Sequence, residues 1–150
     1  MEKPPKEFIS PDIPVENAIV IGSFCLLAYA DKYGLMLTDD ITAHDIDLTV
    51  DPKTYAMLQQ SDWHPNSYRG VTTLRDKPDG NHLYDAGTSA YIWPYEELLR
   101  KGFTIEHQGV TYLDPLRLLA WKIALARKKD QPHVKFLSEQ AVPAWAKSFL

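Results

Sequence analysis

The chain has 150 residues, of which 45% are hydrophobic, and this length and composition suit one domain with a buried core. Its single cysteine, Cys25, excludes a disulfide framework, and no window reaches the roughly eighteen apolar residues that span a bilayer. The N-terminal stretch lacks the apolar run of a signal peptide, so we expect a soluble, cytoplasmic protein with no membrane partner.

Charge is distributed unevenly along the chain. The net charge is -4, but residues 115–150 contain seven of the 16 Lys and Arg residues and only two of the 20 acidic residues. Residues 115–150 therefore have a formal charge of +5, and residues 1–114 have a formal charge of -9. A basic segment of this kind either receives a polyanion or docks on the acidic body, and charge alone leaves both interpretations open.

The first elements form a strand, a turn and a helix. Residues 1–14 are rich in proline and charge, which predicts an extended N-terminal arm. The β-branched run NAIVIG predicts a buried strand ending at Gly22, and SFCLLAYADKYG predicts a helix with Ser23 as its N-cap and Gly34 just past its end. After a connection over LMLTDDITA, the alternating pattern of HDIDLTV, residues 44–50, predicts a second strand.

The middle of the chain predicts one short helix, several strands and another helix. DPKTYAMLQQ opens with Asp51 and Pro52 in cap and first-turn positions, which favours a helix. SDWHPNSYRG is interpreted as a loop, and VTTLRD and NHLYDAG are expected to be strands about a KPDG turn. SAYIW continues or adds a strand before the helix PYEELLRKG, and FTIEHQGVTYL predicts a hairpin through Gln108 and Gly109.

DPLRLLAWKIALARKKD gives the strongest helix signal in the chain. Asp114 is placed to cap it, Pro115 suits the first helical position, and basic residues crowd its C-terminal end, as the helix dipole favours. One or two short helices are expected after Pro132. The order of elements predicts an α/β (α+β) fold, with a small mixed sheet and packed helices in residues 15–114 and a helical C-terminal segment, residues 115–150, packed on that core.

Asp45 and Asp47 are the first candidate site residues. Residues two apart on a strand point to the same face, so these carboxylates lie about 6–7 Å apart along the chain. Unpaired, they raise each other's pKa and cost stability, whereas around Mg²⁺ or Mn²⁺ they become ligands together with waters and substrate phosphates. The alternative is a solvent-facing strand edge opposite the apolar face of Ile46, Leu48 and Val50.

The strand, the Gly-Ser turn, the helix and the Asp-x-Asp strand together resemble the nucleotidyltransferase superfamily that includes DNA polymerase beta. VIGSFCLLAYA resembles the turn and helix of that family, and HDIDLTV resembles its metal-binding strand. The resemblance implies a nucleotidyltransferase-like fold in which Gly22 and Ser23 hold nucleotide phosphates and Asp45 and Asp47 bind magnesium. Backbone amides at a helix N-terminus suit an anion, which agrees with this assignment.

The resemblance also implies a third carboxylate on a neighbouring strand, which acts as a base and shares one metal. Asp85 is the candidate, with a turn-capping role as the alternative. Many relatives carry Arg and Thr four and two residues before the first metal Asp, where this chain has Ile41 and Ala43. The sequence therefore leaves open which group orients the phosphates. Arg69 and Arg75 are candidates for a phosphate contact if they face the same cleft.

The C-terminal segment also contributes to the resemblance. GVTYLDPLRLLAWKIALARKKDQPHVKFL is similar to the C-terminal helix of minimal bacterial nucleotidyltransferase-like proteins, including abortive-infection toxins of toxin–antitoxin systems, and the matching residues are Lys122, Lys129 and Asp130. Lys122 shares a helical face with Leu118, Leu125 and Lys129, and a lysine in an apolar face must snorkel or meet an anion. A triphosphate and Asp130 are both open as its partner. Lys129 is either a second phosphate contact or a solvated helix end.

The function that the resemblance implies is transfer of a nucleoside monophosphate from an NTP to a hydroxyl of RNA, protein or a small molecule, with release of pyrophosphate. A catalytically degenerate nucleotide-binding or toxin–antitoxin interaction module is the alternative, and an antibiotic-modifying enzyme is a third. A homodimer is a further expectation, in which a second copy of the chain completes the acceptor pocket. The sequence names neither the acceptor nor the preferred base.

Overall fold

The fold is described from a computed structural model that covers Ser10 and residues 12–78 and 80–150. Most of the predicted N-terminal arm, residues 1–14, lies outside the described residues. Within its described end, Ile13 is buried in the core and the Trp63 indole donates a hydrogen bond to Asp12 at 3.1 Å.

A seven-stranded mixed sheet forms the centre of the protein. Its strands, and those of a small separate hairpin, are β1 (Ala18–Ile21), β2 (Ile46–Val50), β3 (His64–Tyr68), β4 (Val71–Arg75), β5 (Tyr84–Gly87), β6 (Ser89–Ala90), β7 (Trp93–Pro94), β8 (Thr104–His107) and β9 (Val110–Leu113). The large sheet has the order β3-β4-β5-β2-β1-β9-β8, and β6 pairs with β7. β2 is parallel to β5 and β1 is parallel to β9, while the remaining neighbours are antiparallel. The predicted α/β fold with a mixed sheet is confirmed.

The helices are α1 (Phe24–Tyr33), α2 (Pro52–Gln59), α3 (Tyr95–Arg100), α4 (Pro115–Leu125), α5 (Gln131–Phe136) and α6 (Val142–Lys147). Two of the predicted caps are confirmed, because Asp51 accepts from the Thr54 amide at 2.7 Å and Asp114 accepts from the Arg117 amide at 2.8 Å. Ser23 occupies the predicted N-cap position of α1, but its side chain does not cap the helix. This residue already has helical dihedral angles and makes no capping hydrogen bond.

Two other predictions of elements are corrected by the structure. The stretch read as a loop contains β3, an exposed edge strand that joins β4 through a turn in which Arg69 and Gly70 both have positive φ. The helix predicted to run through Asp130 ends at Leu125, because Ala126 is left-handed with φ 53° and donates its amide to the Lys122 carbonyl at 3.3 Å. A separate 3₁₀ turn, Lys128–Asp130, follows.

One hydrophobic core includes residues from both the body and the C-terminal segment. The central strands and α1 contribute the fully buried Val20 and Cys25, and burial raises the pKa of the Cys25 thiol to about 12. The C-terminal segment adds Leu118 from α4 and Leu137 from the π-turn that joins α5 to α6. The segment therefore packs on the body. No helix in the described residues of the chain has the length and apolar character needed to cross a bilayer.

Candidate metal and nucleotide site

Three carboxylates that the sequence singled out meet at one end of β2 and β5. Asp47 is the register partner of Asp85 in the parallel β2–β5 pair, and Asp45 lies in the bend immediately before β2, two residues ahead of Asp47. We call Asp45, Asp47 and Asp85 the acid triad. Burial raises the pKa of Asp47 to about 7, and the charges of Asp85 and Asp45 add to this rise.

The turn between β1 and α1 lies against the acid triad. Gly22 has φ +81°, and a Cβ at this position would lie 2.5 Å from Oδ2 of Asp47. Only a glycine therefore lets the backbone pass so close to the carboxylate. Ser23 follows as a partly exposed residue immediately before α1. The turn predicted to contact phosphate and the predicted metal ligands are thus neighbours.

Two of the three acids already have a basic partner. His82 Nε2 lies 3.2 Å from Oδ2 of Asp45, and Nε of Arg75 donates to Oδ2 of Asp85 at 3.2 Å. Sequence reasoning did not associate His82 with the site, because no ligand spacing links it to Asp45. The feature of the sequence that could have pointed to His82 is its position just before β5, the strand that contains Asp85.

The donor chemistry of the acid triad fits a divalent cation. Oδ1 of Asp85 is buried and has no hydrogen-bond partner among the described residues, and burial destabilises the charged form of the Asp47 carboxyl. A carboxylate has two oxygens, so Asp85 can keep Arg75 on one of them and offer the other to a metal. Among the described residues, no group of three His, Cys, Asp or Glu side chains, the acid triad included, is arranged to hold a metal ion, so metal binding by the triad remains a prediction.

Lys122 is buried and pairs with Asp130. Its Nζ donates to Oδ1 of Asp130 at 3.0 Å, and the guanidinium of Arg127 donates to both oxygens of the same carboxylate. The sequence left a triphosphate and Asp130 open as partners of Lys122, and the structure contains the pair with Asp130. The Lys122 charge also lowers the pKa of Asp47, although burial and the neighbouring acids outweigh it. A contact from Lys122 to phosphate remains a prediction.

The other candidate residues lie farther from the triad or on the surface. Lys129 is exposed on the 3₁₀ turn after α4, so it does not share the helical face of Lys122 as the sequence suggested, and its phosphate contact remains a prediction. Ile41, at the position where the sequence resemblance implies an arginine, is buried in the core.

The fold and the site define an α/β protein with three interacting carboxylates beside a glycine turn. No family model matches the chain, and no curated protein matches its sequence. Among solved structures, the chain is similar to an antigenic nucleotidyltransferase-like protein from Paracoccidioides brasiliensis, with a TM-score of 0.40 and 14% identity. The match covers 88% of this chain and 78% of that one. A similarity this distant carries no weight for fold or function, which rest on the geometry of the chain itself.

Proposed function

We propose that the protein is a metal-dependent nucleotidyltransferase that transfers a nucleoside monophosphate from an NTP to a hydroxyl acceptor. The observation that carries the proposal is the meeting of Asp45, Asp47 and Asp85 beside Gly22, with the pKa of Asp47 raised to about 7 by burial and by both neighbouring acids. Such a cluster is costly by itself and becomes favourable when a cation joins it.

Asp45 and Asp47, with Asp85, would hold Mg²⁺ or Mn²⁺, which supplies charge neutralisation for the phosphates and makes the attacking hydroxyl more acidic. Asp85 would act as the acceptor for the hydroxyl proton, and its Oδ1, which has no partner among the described residues, would stay available to the metal. The acceptor oxygen forms a bond to the α-phosphorus, the bond to the β-phosphate oxygen breaks, and pyrophosphate leaves. Gly22 and Ser23 bind phosphate through the turn, and Lys122 and Lys129 supply positive charge.

A second candidate is a catalytically degenerate nucleotide-binding or toxin–antitoxin interaction module in the cytoplasm. It is favoured by two contacts, because Arg75 holds the proposed base Asp85 and Asp130 holds Lys122. Both groups must be free enough for catalysis. RNA, protein and small molecules remain the proposed acceptors, and a homodimer that completes an acceptor pocket belongs to the same proposal.

Labelled NTPs, Mg²⁺ and total RNA or protein test the choice. We expect the parent protein to label an acceptor, Asp45→Ala to lose labelling, and Asp62→Ala, which alters an exposed acid outside the triad, to retain it. Labelling by Asp45→Ala at the level of the parent contradicts the enzyme proposal. Calorimetry separates the remaining cases: NTP binding without turnover supports the binding module, and absence of binding supports an interaction module.

A further inference from the structure

We propose that the guanidinium of Arg75 is a phosphate-binding group of this site, one that takes the polyphosphate of the NTP and the pyrophosphate that leaves. The inference rests on the proposed function and assigns to Arg75 a contact with the substrate itself, beyond its pairing with Asp85.

Arg75 lies at the end of β4, directly opposite Asp85 in the antiparallel β4–β5 pair. Its Nε donates to Oδ2 of Asp85 at 3.2 Å, and 26% of the side chain is exposed. The terminal Nη groups make no hydrogen bond within the described residues of the chain. They are not fully buried, so solvent reaches them.

This combination separates Arg75 from other arginines of the protein. Arg117 donates to Asp114 at 3.4 Å and stacks on the Phe103 ring at 3.5 Å. Arg127 donates hydrogen bonds to Asp130 through two of its nitrogens. Arg75 is fixed at the acid triad by one nitrogen, while its other donors are unused, and a planar guanidinium offers such donors as a pair that fits phosphate oxygens.

The electrostatics of the site require a cation of this kind. A polyphosphate that enters beside three carboxylates is repelled unless positive charge offsets it, and a bound divalent metal offsets only some of that repulsion. Lys122 is already engaged by Asp130. Arg75, by contrast, is held at the triad by Asp85 through Nε and keeps its terminal donors unpaired within the described residues.

Pyrophosphate is the probe of choice because every NTP releases it, so the unknown base does not matter. The Kd of pyrophosphate in the presence of Mn²⁺ is measured by calorimetry for the full chain, Arg75→Gln, Arg75→Lys and the control Arg100→Gln, which removes the same charge from the exposed end of α3. We expect Arg75→Gln to raise this Kd about 10- to 100-fold, as loss of charge-assisted hydrogen bonds does. Arg75→Lys, which keeps the charge beside Asp85 but loses the planar donor pair, should raise it about 3- to 10-fold. Arg100→Gln should change it by less than about two-fold.

Mn²⁺ binding without pyrophosphate separates a direct contact from an effect through Asp85. A direct contact predicts that Arg75→Lys binds Mn²⁺ within about two-fold of the parent while its pyrophosphate affinity falls. Equal losses of both affinities would mean that Arg75 acts only by positioning Asp85, and normal pyrophosphate binding by both Arg75 variants would equally overturn the inference. If the parent binds neither NTP nor pyrophosphate, the proposed function fails as well. If the parent transfers nucleotides and the Arg75 variants still bind pyrophosphate normally, only the Arg75 assignment fails.

Discussion

Asp47 lies between two other carboxylates, and burial followed by the charges of Asp85 and Asp45 raises its pKa to about 7. Its contribution to stability is complete below its ordinary pKa of 3.8 and is lost as the pH rises through about 7. We therefore expect Asp47→Asn to increase the free energy of unfolding of the metal-free protein by about 1–2 kcal/mol at pH 8 and by much less at pH 4. Urea unfolding in the presence of a chelator measures both values.

The same variant should lose Mn²⁺ binding, so the substitution that stabilises the protein removes its proposed function. Asp62→Asn, at an exposed acid, serves as the control and should change neither quantity. A fall in stability on Asp47→Asn at pH 8 would show that the carboxylate makes a favourable interaction in the metal-free protein. That result contradicts the interpretation of the acid triad as a cluster awaiting a cation.

His82 Nε2 lies 3.2 Å from Oδ2 of Asp45, and a proposed metal ligand that is held by such a contact loses less freedom when it binds a metal. We expect His82→Phe to raise the Kd for Mn²⁺ about 10-fold. His82→Gln, whose amide can still donate to Asp45, should recover some of that loss. Calorimetry with Mn²⁺ provides the measurement.

A second His–Asp pair provides a matched control for His82. His107, on the edge strand β8, lies 2.6 Å from Asp31 of α1. Asp31 is about as exposed as Asp45. His107→Phe should leave Mn²⁺ binding unchanged. An equal effect of the two substitutions would indicate a general loss of stability and not a role for His82 at the site.

The acid triad illustrates what the sequence predicts at the level of residues. Strand alternation predicted that Asp45 and Asp47 share one face, whereas Asp45 lies in the bend just before β2. Asp85 lies on the neighbouring strand, beside Asp47. The partners His82 and Arg75 could not be assigned in the same way. His82 lies next to Asp45 because of the course of the chain just before β5. Arg75 lies next to Asp85 because of the register of β4 against β5. Neither position can be inferred from residue spacing within one strand.

At the scale of elements, predictions held where a local signal fixed the structure. Asp114 and Pro115 determine where α4 begins, and the sequence predicted both. The sequence did not predict the end of α4, because the left-handed residue there is Ala126 and not a glycine. The hydrogen bonds from Lys122 and Arg127 to Asp130, which lies beyond the helix end, could not be inferred from the sequence either. β3 was missed because an exposed edge strand needs no apolar alternation.

Asp130 connects the end of α4 to the turn that follows it. Although burial opposes the shift, hydrogen bonds from Arg127 and Lys122 lower the pKa of this carboxyl. Asp130→Asn leaves buried Lys122 without its counter-charge, and we expect it to lower the free energy of unfolding by about 3–4 kcal/mol. Lys122→Met leaves Asp130 paired with Arg127 and should cost about 1–2 kcal/mol. Urea unfolding compares the two variants, and a larger cost for Lys122→Met would contradict this account of the cluster.

At the scale of the whole molecule, the basic C-terminal segment uses several of its charges internally. Lys122 and Arg127 pair with Asp130, and Arg117 pairs with the cap residue Asp114. The segment joins the body through apolar side chains, including Leu118, Leu137 and Ala141, all of which are fully buried. The sequence identified the charge asymmetry but could not show which contacts attach the segment, because these depend on packing between elements far apart in the chain.

Leu137 tests whether the body and the C-terminal segment unfold together. It is fully buried in the shared core, whereas Leu150 is fully exposed and gives a matched control. Leu137→Ala should lower the free energy of unfolding by about 2–4 kcal/mol, and Leu150→Ala should change it little. Because the core is continuous, slowly exchanging amides of β1 and β2 should exchange faster in Leu137→Ala by the factor that corresponds to the lost stability. Faster exchange confined to residues 115–150 would instead mean that the segment opens on its own, and the core would then consist of two separable units.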